Sequence, residues 1–154
     1  EMTSSLVGSE MCIRDRVTWA KENAVSSGLG DAPIRWLVDD CVKFVEREIR
    51  RGNTYDAIIM DPPSYGRGPK GEIWKIEDMI HPLIKLCTKI LSKDALFFLV
   101  NSYTTGLAPA VLTYMISTEL KPWNGHVDSQ EIGLPVTDSG LVLPCGASGR
   151  WERD

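Results

Sequence analysis

The segment from Tyr55 to Pro69 combines residue types that could bind and position a substrate. An apolar run, Ala57 to Asp61, ends on a carboxylate and is followed at once by two prolines. Proline has no backbone N–H to donate, so Pro62 ends a strand and holds the next residues in a stiff, extended turn. The pattern predicts a strand buried on both faces, with Asp61 at its carboxyl end, where open α/β sheets bind their ligands.

The residues after the prolines favour a binding loop over a plain turn. Asp-Pro pairs are common turn signals, so a strand terminator before a surface loop is the competing interpretation. The run from Ser64 to Gly71 sets an aromatic ring, two cations and three glycines beside the carboxylate. Such a combination suits a site for a flat, partly anionic substrate.

The composition is that of an ordinary globular domain. With 154 residues, 43% of them hydrophobic and 25% charged, the chain is long enough for one domain with a core. A net charge of -4 argues against a nucleic-acid coat over the whole surface, but it permits a local basic patch. The four cysteines have no Cys-x-x-Cys spacing and lie close to neither histidine, so we expect no metal site and reduced thiols in a cytoplasmic protein.

Hydrophobic periodicity predicts alternating helices and strands around this loop. We expect helices at 17–26, 42–50, 82–91 and 107–120, strands at 34–38, 55–61 and 95–100, and a terminal hairpin around a turn at 137–140. This order indicates an α/β fold of three layers, with a mostly parallel sheet and a C-terminal antiparallel hairpin. The loop at Asn101–Gly106 then follows its strand as the Asp61 loop follows the preceding one.

Three features together resemble the class I S-adenosylmethionine (SAM)-dependent methyltransferases. They are Asp61-Pro-Pro-Ser-Tyr65 at the end of a strand, the acidic pair Asp39-Asp40 after the preceding strand, and the terminal hairpin. More narrowly, the chain is similar to the large-subunit ribosomal-RNA methyltransferases, whose fourth-strand motif is Asp-Pro-Pro-x-aromatic. The resemblance covers residues 17–152 and implies a Rossmann-like fold, SAM as cofactor and RNA, first of all rRNA, as substrate.

The resemblance also implies roles for individual residues. In catalysis, the Asp61 carboxylate and the Pro62 carbonyl would hold the two N–H groups of a base amine, and Tyr65 would stack on the base. Asp40, or its neighbour Asp39, would contact the cofactor together with Asp61, although Asp40 could equally be a helix N-cap. The remaining candidate substrate contacts are Ser64, Arg67, Lys70 and Tyr103, for which a solvated loop or a packing role is the alternative.

The chain departs from the family pattern in two respects, the cofactor site and the methylated atom. The first departure concerns the cofactor site. The family's glycine-rich loop after its first strand and acidic residue after its second are both missing, so we expect an incomplete fold. The strand at 34–38 would lack a neighbour and the strand at 55–61 would expose an unpaired edge. We therefore expect the chain, expressed as given, to be aggregation-prone and inactive. Residues 1–16 resemble a translated sequencing-adapter tail, which leaves 17–154 as the C-terminal part of a catalytic domain.

The second departure concerns the atom that is methylated. The cytosine C5 relatives carry a nucleophilic cysteine just after the fifth strand, and this chain has Asn101-Ser-Tyr-Thr-Thr there. A base nitrogen is therefore the expected target. The alternatives are a noncatalytic fragment or α/β binding module, and a relative of the C5-cytosine rRNA enzymes. An α/β oxidoreductase would leave the two prolines unexplained.

Overall fold

A computed structural model describes residues 8–68, 71–104 and 106–154. The chain divides into two compact units, which are described separately. The first unit contains residues 1–41 and 67–73, and the second contains residues 42–66 and 74–154.

In the first unit, helix α1 spans Gly8–Ser26 and continues without a break from Arg16 to Val17. It ends where Gly28 takes a positive φ of 75°, a conformation that glycine adopts without steric cost. The strand predicted at 34–38 is wrong: these residues have no ladder partner among the described residues, and Ile34, Leu37 and Val38 are exposed. An apolar run becomes a strand only where a neighbouring strand satisfies its backbone. That residues 1–16 are a non-native tail stays a prediction.

The remaining elements form the second unit or border it. They are α2 (Cys41–Arg51), β1 (Ala57–Met60), β2 (Tyr65–Arg67), β3 (Ile73–Lys75), α3 (Ile76–Thr88), β4 (Phe97–Ser102), α4 (Pro109–Leu120), β5 (His126–Pro135) and β6 (Val142–Glu152). The main sheet has the order β1-β4-β6-β5, and β2 and β3 pair with each other. This arrangement confirms the Rossmann-like α/β fold with a C-terminal antiparallel hairpin.

The main sheet contains fewer parallel strand pairs than the sequence predicted. Among the described strands, β1 and β4 pair in parallel, whereas β6 is antiparallel to both β4 and β5. The described sheet is thus mixed and not mostly parallel, because 34–38 adds no parallel strand. β1 lies at an edge, and the exposed fraction of Ile59 is 64%, so β1 is not buried on both faces as predicted.

The core lies on one face of this sheet, under α3 and α4. Along β4 every second side chain is buried, and Phe98 stands opposite Trp151 of β6. The largest buried apolar side chains are Trp151, Phe98, Ile76, Ile80, Ile84, Leu112, Ile116, Leu120 and Val100. Burying each such side chain contributes about 1.5–3 kcal/mol, which fixes the two helices on the sheet.

Helix α3 begins six residues earlier than predicted. The sequence placed its start near Pro82, but the helix begins at Ile76 and contains that proline. Pro82 is exposed and costs one backbone hydrogen bond, while Ile76 and Ile80 are almost completely buried. Burial of the first turn outweighs the local cost of the proline.

Candidate substrate-binding site

The candidate site begins where β1 ends. Asp61 directly follows Met60, the last residue of β1, and is exposed, and the structure shows no hydrogen bond or ion pair of its carboxylate with any described residue. Pro62 is half-buried and Pro63 exposed. A carboxylate and a backbone carbonyl in succession, both of them acceptors, are therefore presented at the carboxyl end of β1.

Three hydrogen bonds hold the turn that follows Asp61. The indole Nε1–H of Trp74 donates to the Pro63 carbonyl at 2.6 Å. The backbone N–H of Ile76 donates to the Ser64 carbonyl at 3.1 Å. The Thr104 hydroxyl donates to the Ser64 hydroxyl at 2.6 Å. The turn is thus anchored from β3, from the start of α3 and from the loop after β4.

The Ser64–Thr104 bond joins the loops that follow two neighbouring parallel strands. β1 and β4 pair from Ala57–Phe97 to Met60–Val100, so both run toward the same edge of the sheet. The backbone N–H of Thr104 donates to the hydroxyl of the buried Ser102 at 3.2 Å. The expectation that these two loops lie at one edge of the sheet is therefore met.

An exposed tyrosine lies beside each partner of this hydrogen bond. Tyr65 follows Ser64 and is 50% exposed, and Tyr103 precedes Thr104 and is 53% exposed. Neither side chain belongs to the buried core of the described residues. Two accessible aromatic rings on linked loops offer surfaces on which a planar group can stack.

A close approach by β6 supports the loop after β4. Gly146 lies so near the Ser102 carbonyl and the Tyr103 backbone that a Cβ there would clash with them. The Ser148 hydroxyl donates to the Asn101 side-chain oxygen at 2.9 Å, next to this contact. No sequence pattern marked Gly146, because the need for glycine arises only from this tertiary contact.

The structure says less about the roles of the other predicted site residues. Asp39 and Asp40 belong to the first unit and are exposed, and the Asp40 N–H donates to Asp39 Oδ1 at 2.9 Å. Arg67 is also exposed in the first unit, at the end of β2. Lys70 lies outside the described residues. The Ser64–Thr104 hydrogen bond links the loop that carries Asp61, Pro62, Ser64 and Tyr65 to the loop that carries Tyr103.

Sequence reasoning missed Trp74, which anchors the turn. Residues 65–75 were taken as a loop, whereas β2 and β3 form a hairpin that carries the indole to Pro63. The adjacent β-branched and aromatic residues Ile73 and Trp74, both of types enriched in strands, could have signalled a short strand there. Among the described residues, no group of three or more His, Cys, Asp or Glu side chains could hold a metal ion. No described helix is long and apolar enough to cross a membrane.

Comparison with known proteins relates the chain to methyltransferases. No family model matches it. It is 38% identical in sequence to a SAM-dependent methyltransferase from Agrobacterium tumefaciens whose crystal structure is known, with a TM-score of 0.79, covering 90% of this chain and 46% of that one. It is also 27% identical over 85 residues to ribosomal RNA large subunit methyltransferase K of Neisseria meningitidis, covering 54% of this chain and 24% of that protein.

A more distant structure shares the fold alone. It is a protein described as a methyltransferase and solved in complex with SAH, 19% identical with a TM-score of 0.54, covering 73% of this chain and 30% of that one. The chain thus spans less than half the length of the relatives it matches. These likenesses confirm the resemblance drawn from Asp61-Pro-Pro-Ser-Tyr65: the solved relative is a SAM-dependent methyltransferase, and the relative in sequence is an rRNA large subunit methyltransferase.

Proposed function

We propose, from this relationship to the class I SAM-dependent methyltransferases, that the chain is part of an enzyme that methylates a nitrogen of an RNA base, with rRNA as the substrate. The observation that carries the proposal is the anchored turn after β1, which presents the Asp61 carboxylate. The named rRNA methyltransferase among the relatives supports the choice of RNA.

The chemistry of the turn suits an exocyclic amine. Two N–H groups of a base amine would donate to the Asp61 carboxylate and to the Pro62 carbonyl, neither of which can donate in return. The nitrogen lone pair is then left to point away from both acceptors, in the orientation that an in-line displacement needs. The hydrogen bonds from Trp74, Ile76 and Thr104 hold Pro63 and Ser64, the residues that directly follow the two acceptors.

The two exposed tyrosines would hold the ring of the base. Stacking of a base on an aromatic side chain contributes about 1–3 kcal/mol and tolerates any base, because every base has a π-face. Tyr65 and Tyr103 flank the Ser64–Thr104 bond, so their backbones are fixed with the turn. Selection of the amine would then come from Asp61 and Pro62, and binding strength from the tyrosines.

The described residues fit the substrate half of such a site better than the cofactor half. SAM supplies the methyl group when it is bound, and the Asp39 and Asp40 carboxylates have the acceptor chemistry for its amine and hydroxyl donors. Both, however, belong to the first unit, and the described strands β1 and β4 are followed by Asp61-Pro-Pro and Asn101-Ser-Tyr, not by a glycine-rich turn. The described residues therefore do not complete a pocket for SAM.

Methylation at ring carbon 5 is not supported by the site. It needs a cysteine thiolate on a loop next to the base, and no cysteine lies in 61–66 or in 101–106. Of the cations, Arg67 and Lys75 are exposed and remain candidates for phosphate contacts. A cytoplasmic location stays a prediction.

The test is methyl transfer by a chimera in which this chain replaces its counterpart in the Agrobacterium enzyme. Asp61→Asn should lower kcat for transfer to RNA by about 100-fold, because one acceptor becomes a donor facing the amine. Asp128→Asn, an exposed carboxylate on β5 outside the site, is the matched control and should keep wild-type kcat. Mass spectrometry of the nucleosides should locate the methyl group on nitrogen. Wild-type turnover by Asp61→Ala, or methylation at carbon, would contradict the proposal.

A further inference from the structure

Asn101 lies level with Asp61 at the carboxyl edge of the main sheet. The parallel pairing of β1 and β4 ends at Met60–Val100. Asp61 and Asn101 are the next residues along these two strands, and both belong to the second unit. Neighbouring strands lie about 4.8 Å apart, so the two residues are within reach of one small planar molecule.

The same two residues belong to one face of the sheet. Along β4, Val100 and Ser102 are buried, whereas Asn101 between them is half-buried and alternates to the other face. On β1, Met60 packs against the core, and Asp61 after it is exposed. By this alternation, Asp61 and Asn101 are on the face of the sheet opposite to α3 and α4.

One hydrogen bond fixes the orientation of the Asn101 amide. The Ser148 hydroxyl donates to Asn101 Oδ1 at 2.9 Å, and the two residues are partners in the ladder of β4 and β6. The amide oxygen is thus directed toward β6, and Nδ2 is directed away from it. Among the described residues, no group accepts a hydrogen bond from Nδ2. The side chain therefore offers two N–H donors to a ligand.

A purely structural role accounts for only half of this side chain. Asparagine is depleted in strands, so local preference does not explain its place in β4. A tie between β4 and β6 uses the amide oxygen alone and leaves the amide nitrogen without a role. The Asp61 carboxylate, level with it on β1, likewise has no partner within the described part of the chain. A donor and an acceptor placed in this way suit the binding of a third molecule.

This combination matches an amine that lies beside an unprotonated ring nitrogen. In the proposed function, on which this inference rests, Asp61 accepts from the exocyclic amine of an RNA base. On the Watson–Crick edge, adenine carries N1 and cytosine carries N3 next to the amine, and either nitrogen can accept from Asn101 Nδ2. Guanine carries N1–H at that place, so a donor would face a donor and both would lose their partners.

We propose that Asn101 is a specificity-determining residue, which donates from Nδ2 to the ring nitrogen beside the amine held by Asp61 and so selects adenine or cytosine over guanine. Ser148 is a positioning residue, because it acts only through the orientation of the Asn101 amide. Watson–Crick pairing uses the same two groups of the base. The substrate is therefore an unpaired base, in a loop or a single strand of the RNA.

Binding of short RNAs to the chimera with the Agrobacterium enzyme tests this selection. Each probe is a pentanucleotide with A, C or G at its centre and abasic ribose elsewhere. The wild type should bind the A and C probes about 10-fold more tightly than the G probe, because only they gain the hydrogen bond from Asn101. Asn101→Asp should reverse the preference, because its carboxylate accepts from guanine N1–H. A general loss of folding or a change of net charge does not reverse a ratio of affinities.

Gln130→Glu is the matched control. It makes the same change from amide to carboxylate at an exposed residue of β5, whose ladder partner on β6 is Ser148. Because Gln130 is two strands away from Asn101, this variant should keep the wild-type preference.

Two results would overturn the proposal. They are a wild type that binds the G probe as tightly as the other two, and a preference that Asn101→Asp leaves unchanged. A thermal melt shows whether Asn101→Asp is folded. If it is not, Ser148→Ala must bring the three affinities together while leaving the melt unchanged, because the amide is then free to turn. Failure to do so counts equally against Asn101.

Methyl transfer by the same chimera distinguishes failure of this inference from failure of the proposed function. Transfer to a base nitrogen with a base preference that does not depend on Asn101 supports the proposed function and overturns the inference. The expected selection in binding, without transfer to nitrogen, supports the role of Asn101 in base recognition and contradicts the proposed function.

Discussion

The Glu48 side chain on α2 is 1% exposed and accepts hydrogen bonds from three groups. The donors are the Tyr55 hydroxyl at 2.7 Å, the Asn53 amide at 2.8 Å and the Arg51 guanidinium at 2.8 Å. These hydrogen bonds, first that of Tyr55, lower the pKa of Glu48 from 4.5 to about 2. A carboxylate satisfied in this way ties the end of α2 to the chain entering β1.

Stability should therefore depend on pH through Glu48. Because its folded-state pKa is lowered, the unfolded state binds more protons between pH 4.5 and about 2, and the stabilisation that is complete above pH 4.5 is lost as the pH falls through this window. Urea unfolding of the wild type should show this loss. Glu48→Gln should be less stable at pH 7 and should lack this component of the pH dependence. An identical pH profile for the two proteins would contradict the role of Glu48.

Glu48 also marks a limit of inference from sequence. The apolar residues of α2, Val42, Val45 and Ile49, recur at helical spacing, so the sequence alone predicts that the charged Lys43, Glu46 and Glu48 face solvent. The structure buries Glu48 instead, because Asn53 and Tyr55 lie beyond the end of the helix and surround the carboxylate only after the chain turns back. A helical period describes one element, and these partners belong to the connection that follows it.

Among the elements, the β2–β3 hairpin sets the geometry of the candidate site. Trp74→Phe removes the hydrogen bond to the Pro63 carbonyl but keeps a ring in the half-buried position. Trp123→Phe is a matched control, since its indole donates to the Ser92 carbonyl at 2.8 Å, before β4 and not after it. Each variant should lose about 1 kcal/mol of stability.

Only Trp74→Phe should increase amide hydrogen exchange at Ser64–Gly66 and, in the chimera, lower kcat for methyl transfer. Trp74 contacts the turn and not the amine, so it is a positioning residue. A lower kcat with an unchanged KM would distinguish this role from a general loss of stability of the domain. Equal exchange at the turn in the two tryptophan variants would show that the indole does not anchor it.

The elements differ in how far the sequence determines them. α4 and the terminal hairpin follow the predictions closely, because Pro109 and the turn at 137–140 are strong local signals. The end of β1 just before Asp61 was predicted for the same reason, since two prolines follow it. The start of α3, the hairpin of β2 and β3, and the unpaired stretch at 34–38 were not predicted, since each depends on burial or on a neighbouring strand that no local pattern reports.

At the scale of the whole molecule, the two ends of the main sheet differ. The hairpin forms one end, and β1 forms the other, with Ile59 exposed and no described strand paired along its outer side. Such an edge is a template for open-ended association with other chains. The expectation of an exposed β1 edge thus agrees with the described sheet, while the expected tendency to aggregate stays a prediction.

Ile59→Lys should raise the concentration at which the chain remains free of light-scattering aggregates, because a charge on an exposed edge strand opposes strand addition. The matched control is Leu99→Lys, its ladder partner on β4, which is half-buried within the sheet. Burial of an unpaired charge there should lower the melting temperature and increase aggregation instead. If Ile59→Lys scatters light as strongly as the wild type, association does not proceed through the β1 edge. The exposed apolar residues of the first unit, such as Trp19, would then be the next surface to test.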